Sequence, residues 1–232
     1  MLEEIFFNQQ LGSLGITNFL RYAIHWGVSQ GYSLEFLLLL LLLPLALGVV
    51  SLGRYLIGLQ GLGLFTPVMM GVAFLSTGLV PGLIFFLLTF LLEILVIFLL
   101  RRLKIHFMAK MALVLLLVCL ILLPLLLFLG RFNYTALFNS ALIPILILIL
   151  VGENLAEIQL RKTPRRAVRA VLETLVLSSL AFWVLSSLVL QRIVLLYPEA
   201  VVILTIALDI WVGQFVGLRL LEYHRFRKVL KK

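Results

Sequence analysis

The chain has 232 residues, 63% hydrophobic and 12% charged, with a net charge of +9 and a mean hydropathy of +1.21. Soluble domains average about 45–50% apolar and about 25% charged residues, so this much apolar surface exceeds what one water-soluble core can hold and must face lipid. A single cysteine, Cys119, excludes a disulfide within the chain, and basic residues spread over short loops mark membrane orientation and argue against nucleic acid as a partner.

Residues 1–33 open with MLEE, which lacks the basic start and short apolar core of a cleavable signal. Within them ITNFLRYAIHWGV (Ile16–Val28) mixes bulky apolar residues with Arg21 and His25. It predicts either a helix lying in the outer interface or a translocated tail without fixed structure.

Seven mainly apolar runs follow, each near the roughly 20 residues a helix needs to cross a bilayer: 34–52, 63–80, 82–100, 109–129, 137–156, 170–190 and 199–220. The second and third meet at LVPGL (Leu79–Leu83), where Pro81-Gly82 predicts a break and a tight hairpin. The fourth ends at GRFNYT (Gly130–Thr135). The sixth ends near QRIVLLYPE (Gln191–Glu199), where Pro198 suits the first turn of the last helix. Sixteen of the nineteen lysines and arginines then fall on one side, leaving Arg21, Arg131 and Arg192 on the other. That asymmetry places the basic loops in the cytoplasm. The expected architecture is all-α: a polytopic seven-transmembrane-helix bundle with its N-terminus outside and its C-terminus cytoplasmic. It divides into an extracytoplasmic or interfacial segment (1–33), a membrane domain (34–222) and a basic tail (223–232).

GRYLIGLQGLGLFTPV (Gly53–Val68) gathers glycine and polar residues at the cytoplasmic turn between the first two helices, with Arg54 as its basic mark. Gly58, Gly61 and Gly63 free the backbone, and Thr66 is placed to satisfy a carbonyl released by Pro67. Non-helical backbone at this depth survives only when packed in protein or lining a wet cavity. The stretch is therefore either a packed turn or a broken helix beside a functional cavity.

The acids form a second pattern. Glu93 lies eight residues from Arg101, Glu153 eight from Arg161 and Asp209 ten from Arg219, which puts three helices' carboxyls about 12–15 Å deep. Glu157 shares a helix face with Glu153, and Gln214 and Glu173 occupy the same half of the bundle. An ionisable group at that depth costs at least about 2.5–3.5 kcal/mol and should face the bundle interior. No lysine or arginine lies at that level. Either Glu93, Glu153 and Asp209 converge on an inward-open polar cavity, or each is a neutral acid hydrogen-bonded locally with only a structural role.

Arg219 and Glu222 sit three apart at the cytoplasmic boundary, and Gly213 and Gly217 form a G-x-x-x-G suited to close helix packing. RKTPRRAVRAV (Arg161–Val171) is the longest basic loop. Its Arg161, Arg165, Arg166 and Arg169 either mark topology or dock an acidic cytosolic partner. His25, His106 and His224 lack metal-ligand spacing, so no metal or cofactor is expected. No serine-histidine-aspartate order, H-E-x-x-H, P-loop or dinucleotide fingerprint occurs, and the chain does not read as an enzyme.

Several of these residues also carry a resemblance. Arg54, Ile57, Gly58, Leu62, Gly63, Phe65, Thr66, Pro67 and Val68, then Ala73-Phe74 and Thr77, resemble the seven-transmembrane domain that bacteria often fuse to an inactive transglutaminase-like domain. The last helix resembles the same family through Tyr197, Pro198 and Glu199, then Gly213, Gly217, Arg219, Leu220, Glu222, Arg225 and Phe226. GENLAEIQL (Gly152–Leu160) is similar to an acidic motif ending that family's fifth helix. The first three helices resemble, more weakly, the small membrane subunit of poly-γ-glutamate synthases. Residues 1–33 are expected to stand in place of the upstream transglutaminase-like domain, and Leu64, Glu93 and Asp209 depart from the pattern. The resemblance implies a multi-pass protein of the bacterial cytoplasmic (inner) membrane that serves a peptide-ligation or peptide-modification system as anchor, signal relay or product conduit. Its implied partners are the lipid bilayer and a cytosolic ATP-grasp-type ligase or other protein, with room for a homo-oligomer. A proton- or cation-coupled transporter using the acidic layer is the alternative, and a sensor with an external N-terminal segment is the third reading.

Overall fold

The computed structural model describes Phe6, Gly15, residues 18–59, 61–103 and 105–129, Ile147 and residues 164–214. Helices dominate these residues, and no strand occurs among them. Numbered over the described chain, they are α1 (Phe19–Ser29), α2 (Leu34–Leu52), α3 (Phe65–Thr77), α4 (Leu79–Leu99), α5 (Phe107–Leu129), α6 (Pro164–Ser186), α7 (Leu188–Leu196) and α8 (Pro198–Gly213).

Local chemistry sets the ends. The Ser33 hydroxyl accepts from the Phe36 N–H at 3.3 Å, and Glu35 lies in the first turn of α2; both favour a helix N-terminus. The α2 helix runs on into a π-helical turn, Gly53–Ile57, and stops at Gly58, whose φ of +94° a side chain would disfavour. The α4 helix closes in a 3-10 turn, Leu100–Arg102.

Two expectations change. The hairpin between the second and third runs turns at Gly78 (φ +84°), and Pro81 and Gly82 lie inside α4. Proline is tolerated in a first turn, whose N–H groups have no helical acceptor. Gly82 serves close packing there: a Cβ would lie 2.7 Å from the Thr77 hydroxyl and against the Phe74 ring. The run predicted over 170–190 is also broken. The α6 helix ends at Ser186, and the Ser187 hydroxyl accepts from the Leu190 N–H at 3.5 Å to start α7. The axes of α7 and α8 then differ by 110° across Tyr197, and Pro198 opens α8 as its sequence position suggested.

Among the described residues, 34–57, 79–99 and 168–186 are long and apolar enough to cross a membrane, and α7 with α8 makes a fourth such span if the bent pair is counted as one. The α3 helix and residues 108–124 are shorter apolar helices. Apart from Ile147, the run 137–156 lies outside the described residues.

The chain forms two compact units, residues 1–59 with 183–232, and residues 60–182. In the first, α2 packs on α7 and α8, and α1 packs on α2 and α8. Leu38, Leu42, Ala46 and Val50 form the buried stripe of α2 at four-residue spacing. In the second, α4 packs against both α3 and α5. One apolar cluster gathers Leu62, Met70, Phe74, Phe86 and Phe90, and another gathers Val96, Ile97, Met111, Val114 and Val118. A Cβ on Gly71 would lie 2.8 Å from the Ala181 Cβ and 3.0 Å from the Phe182 nitrogen. Such close backbone approach matters in lipid, where helices gain little from the hydrophobic effect and associate through packing. Leu91, Phe98, Leu120 and Leu123 stay exposed, as does Cys119 beside them, which makes a surface for acyl chains.

Candidate functional site

Polar chemistry concentrates at a junction in the first unit. Arg21 occupies the first turn of α1, where backbone N–H groups lack helical partners. Glu199 occupies the first turn of α8, and its Oε1 accepts from the Arg21 N–H at 3.1 Å. One carboxyl group thus faces two helix N-termini, each of which favours negative charge. The Arg21 guanidinium donates to the Leu196 carbonyl, at the C-terminal end of α7. A cation there satisfies a carbonyl the helix leaves open. The guanidinium carbon also lies 5.9 Å from the centroid of the Tyr197 ring. Three helix ends therefore meet on two side chains, at the Tyr197-Pro198-Glu199 corner.

His25 follows one turn after Arg21. Its ring stacks on Phe6, with centroids 4.0 Å apart and planes 16° from parallel. Its Nε2 is buried and has no hydrogen-bond partner among the described residues. Burial first, and the Arg21 charge second, hold its imidazole below the usual value of about 6.5. The opposite face of α1 carries exposed Phe19 and Trp26.

The glycine-rich stretch divides between the two units. Gly58 ends the π-helical turn, and Arg54 lies within that turn, half-buried. In the second unit, Gly61 lies against Leu177 and Thr174. The Thr174 hydroxyl accepts from the Leu62 N–H at 2.8 Å and donates to the Ala170 carbonyl at 2.7 Å. Ser178, one turn on, donates to the Thr174 carbonyl at 2.6 Å and lies 3.5 Å from the Met70 sulfur. Gly63 has a φ of +49°, and Thr66 and Pro67 are buried in the first turn of α3. Residues 61–64 are thus non-helical backbone leading into the start of α3, with the Leu62 amide satisfied by a buried hydroxyl. Thr174 and Ser178 escaped the sequence reading. The signal was present in their four-residue spacing within an apolar run.

The acids differ in setting. Glu93 is 3% exposed on α4, and its Oε2 has no hydrogen-bond partner among the described residues. Thr89, one turn earlier, donates to the Phe86 carbonyl at 2.8 Å. Asp209 belongs to the other unit and is exposed, contrary to the expectation that every membrane-depth acid faces inward. Its carboxyl lies beside Gly48 of α2, where a Cβ would come within 3.0 Å of Asp209 Oδ1. Gln214 is exposed just beyond α8. Gly213 has nothing within 4 Å of where its Cβ would stand, so it makes no close helix contact among the described residues. Arg169, counted with the basic loop, pairs with Glu173 on its own helix at 2.6 Å. Arg165 and Arg166 lie in the first turn of α6. Glu153, Glu157, Arg161, Gly217, Arg219 and Glu222 lie outside the described residues. Among the described residues, no group of three His, Cys, Asp or Glu is placed to hold a metal ion.

A family model matches residues 15–230, and its description is seven transmembrane helices usually fused to an inactive transglutaminase. No curated protein and no solved structure matches the chain.

Proposed function

The chain belongs to the family of seven-transmembrane-helix domains usually fused to an inactive transglutaminase, and from that premise we propose that it is a non-catalytic, membrane-embedded partner in a bacterial peptide-ligation or peptide-modification system. It would lie in the cytoplasmic membrane with residues 1–33 outside and the basic tail inside. The observation that carries this reading is the Arg21–Glu199 junction. It ties α1, in the segment this reading places outside, to α8, the helix that leads toward the basic tail. A load on α1 is thereby passed to α8 through hydrogen bonds and capped helix ends, which suits an anchor or a relay.

The test is affinity purification of the full chain in mild detergent. A cytosolic ATP-grasp-type ligase should accompany the protein and be lost when Arg165 and Arg166 are both changed to Glu. A tag on Lys232 should stay unreachable from outside intact cells. A reachable tag, or purification that brings no ligase or peptide-modifying enzyme, overturns the reading.

A second reading rests on Glu93, buried in a candidate span with a carboxyl oxygen that no described residue satisfies. Intramembrane acids of this kind mark ion and proton pathways. As a proton- or cation-coupled carrier, the protein would support pH- or cation-driven uptake in proteoliposomes, and Glu93→Gln would abolish it.

A further inference from the structure

We propose that α1 is an acid-released strap: docked on the Leu196–Glu199 corner while His25 is neutral, and freed when His25 takes up a proton. The seat is specific. Arg21 spans from the α7 C-terminus to the Tyr197 ring, and its own N–H is held by Glu199. His25 lies four residues on, the spacing at which side chains share a helix face. Ile24 and Gly27 bury that side of α1, with Gly27 so close to α2 that a Cβ would lie 3.1 Å from Leu37.

A second proton on His25 has no good place to go. It would put an N–H donor on Nε2, which is buried without an acceptor among the described residues, and a positive charge one turn from the Arg21 guanidinium. Other titratable or charged groups on the neighbouring elements are Glu35 at the start of α2, Arg192 on α7, Tyr197 at the corner, and Glu199 and Asp209 on α8, with Tyr22 on α1 itself. Arg21 is the one whose charge bears on the imidazole, and it acts in the same direction as burial.

A histidine whose value is lowered on docking binds protons more readily when undocked. Docking is therefore at full strength above the ordinary histidine range, and weakens as pH falls through about 6.5 toward the lowered value. Each unit of lowering shifts the docking equilibrium by up to about tenfold. Release withdraws Arg21 from Leu196 and exposes the α1 N-terminus that Glu199 had capped. The α7–α8 corner then loses both of its cross-braces.

The experiment uses the full chain in lipid nanodiscs, with Cys119→Ser and spin labels at Ala23→Cys and Ala200→Cys, two exposed positions on α1 and α8. The distance between labels should be short and narrowly distributed at pH 8, and should lose that short component by pH 5. His25→Gln and His25→Phe, which cannot take up the charge, should keep the short distance at both values. His25→Lys should lose it at both. An unchanged distance between pH 8 and pH 5, or the same acid broadening in the neutral variants, overturns the proposal.

Discussion

The carboxyl of Glu199 accepts a hydrogen bond from the backbone N–H of Arg21, across 178 positions of sequence, at 3.1 Å. Each residue completes a helix end that belongs to the other's neighbourhood. Glu199→Ala should therefore cost about 1 kcal/mol, as loss of a helix cap does. That corresponds to roughly 2–4 °C in the unfolding midpoint of a chain this size. Glu199→Gln keeps an acceptor and should fall between. Thermal unfolding of purified protein, followed by circular dichroism, checks the order.

Gly71 should not tolerate a methyl group. Its Cβ would sit 2.8 Å from the Ala181 Cβ and 3.0 Å from a backbone nitrogen that cannot swing away. Gly71→Ala should destabilise by about 1–3 kcal/mol. Gly213→Ala, with open space around it, should stay within about 0.5 kcal/mol. Recovery of monodisperse protein by size exclusion after graded heating separates the two.

The turn between α3 and α4 makes a related contrast. Gly78→Ala forces a side chain into φ +84° and should cost about 1–3 kcal/mol. Pro81→Ala, inside the first turn of α4, should cost less than that. A reversed order in the same heating assay would return the turn to Pro81-Gly82.

Glu93 offers a stability–activity split. Replacing an unsatisfied buried carboxyl by an apolar side chain of similar size removes a desolvation cost of about 1–3 kcal/mol. Glu93→Leu should therefore raise the unfolding midpoint. A lower midpoint would mean that the carboxyl is held by partners that stabilise the fold. If the carrier reading holds, the same stable variant should show no uptake.

The sequence announced what depends on composition and on near neighbours. The α2 start at Ser33 and Glu35, the α8 start at Pro198 and the apolar stretches of α4 and α5 follow from capping chemistry and hydropathy. The Arg169–Glu173 pair stands at helical spacing too, but Arg169 was counted with the basic loop. The sequence did not announce the break at Ser187, because one serine in a leucine-rich run is weaker than a proline signal. Nor did it show that Gly82 packs against Phe74 while Gly78 makes the turn; both are glycines beside a proline, and only the backbone distinguishes them. The closeness of Asp209 to Gly48, 161 positions away in the chain, is a pairing that no local pattern encodes. The Arg21–Glu199 junction was half legible. Both residues fall on the sparsely basic side, yet nothing in either segment names the other.

That junction also fixes an order of events during synthesis. Arg21 leaves the ribosome early, but the carbonyl and carboxyl that seat it appear 175 and 178 residues later. At about 5–20 residues per second, α1 waits roughly 10–35 s for the α7–α8 corner to complete its berth. Until then α1 has neither its carboxylate cap nor its carbonyl seat, so the order of synthesis leaves its N-terminus to lipid headgroups or water.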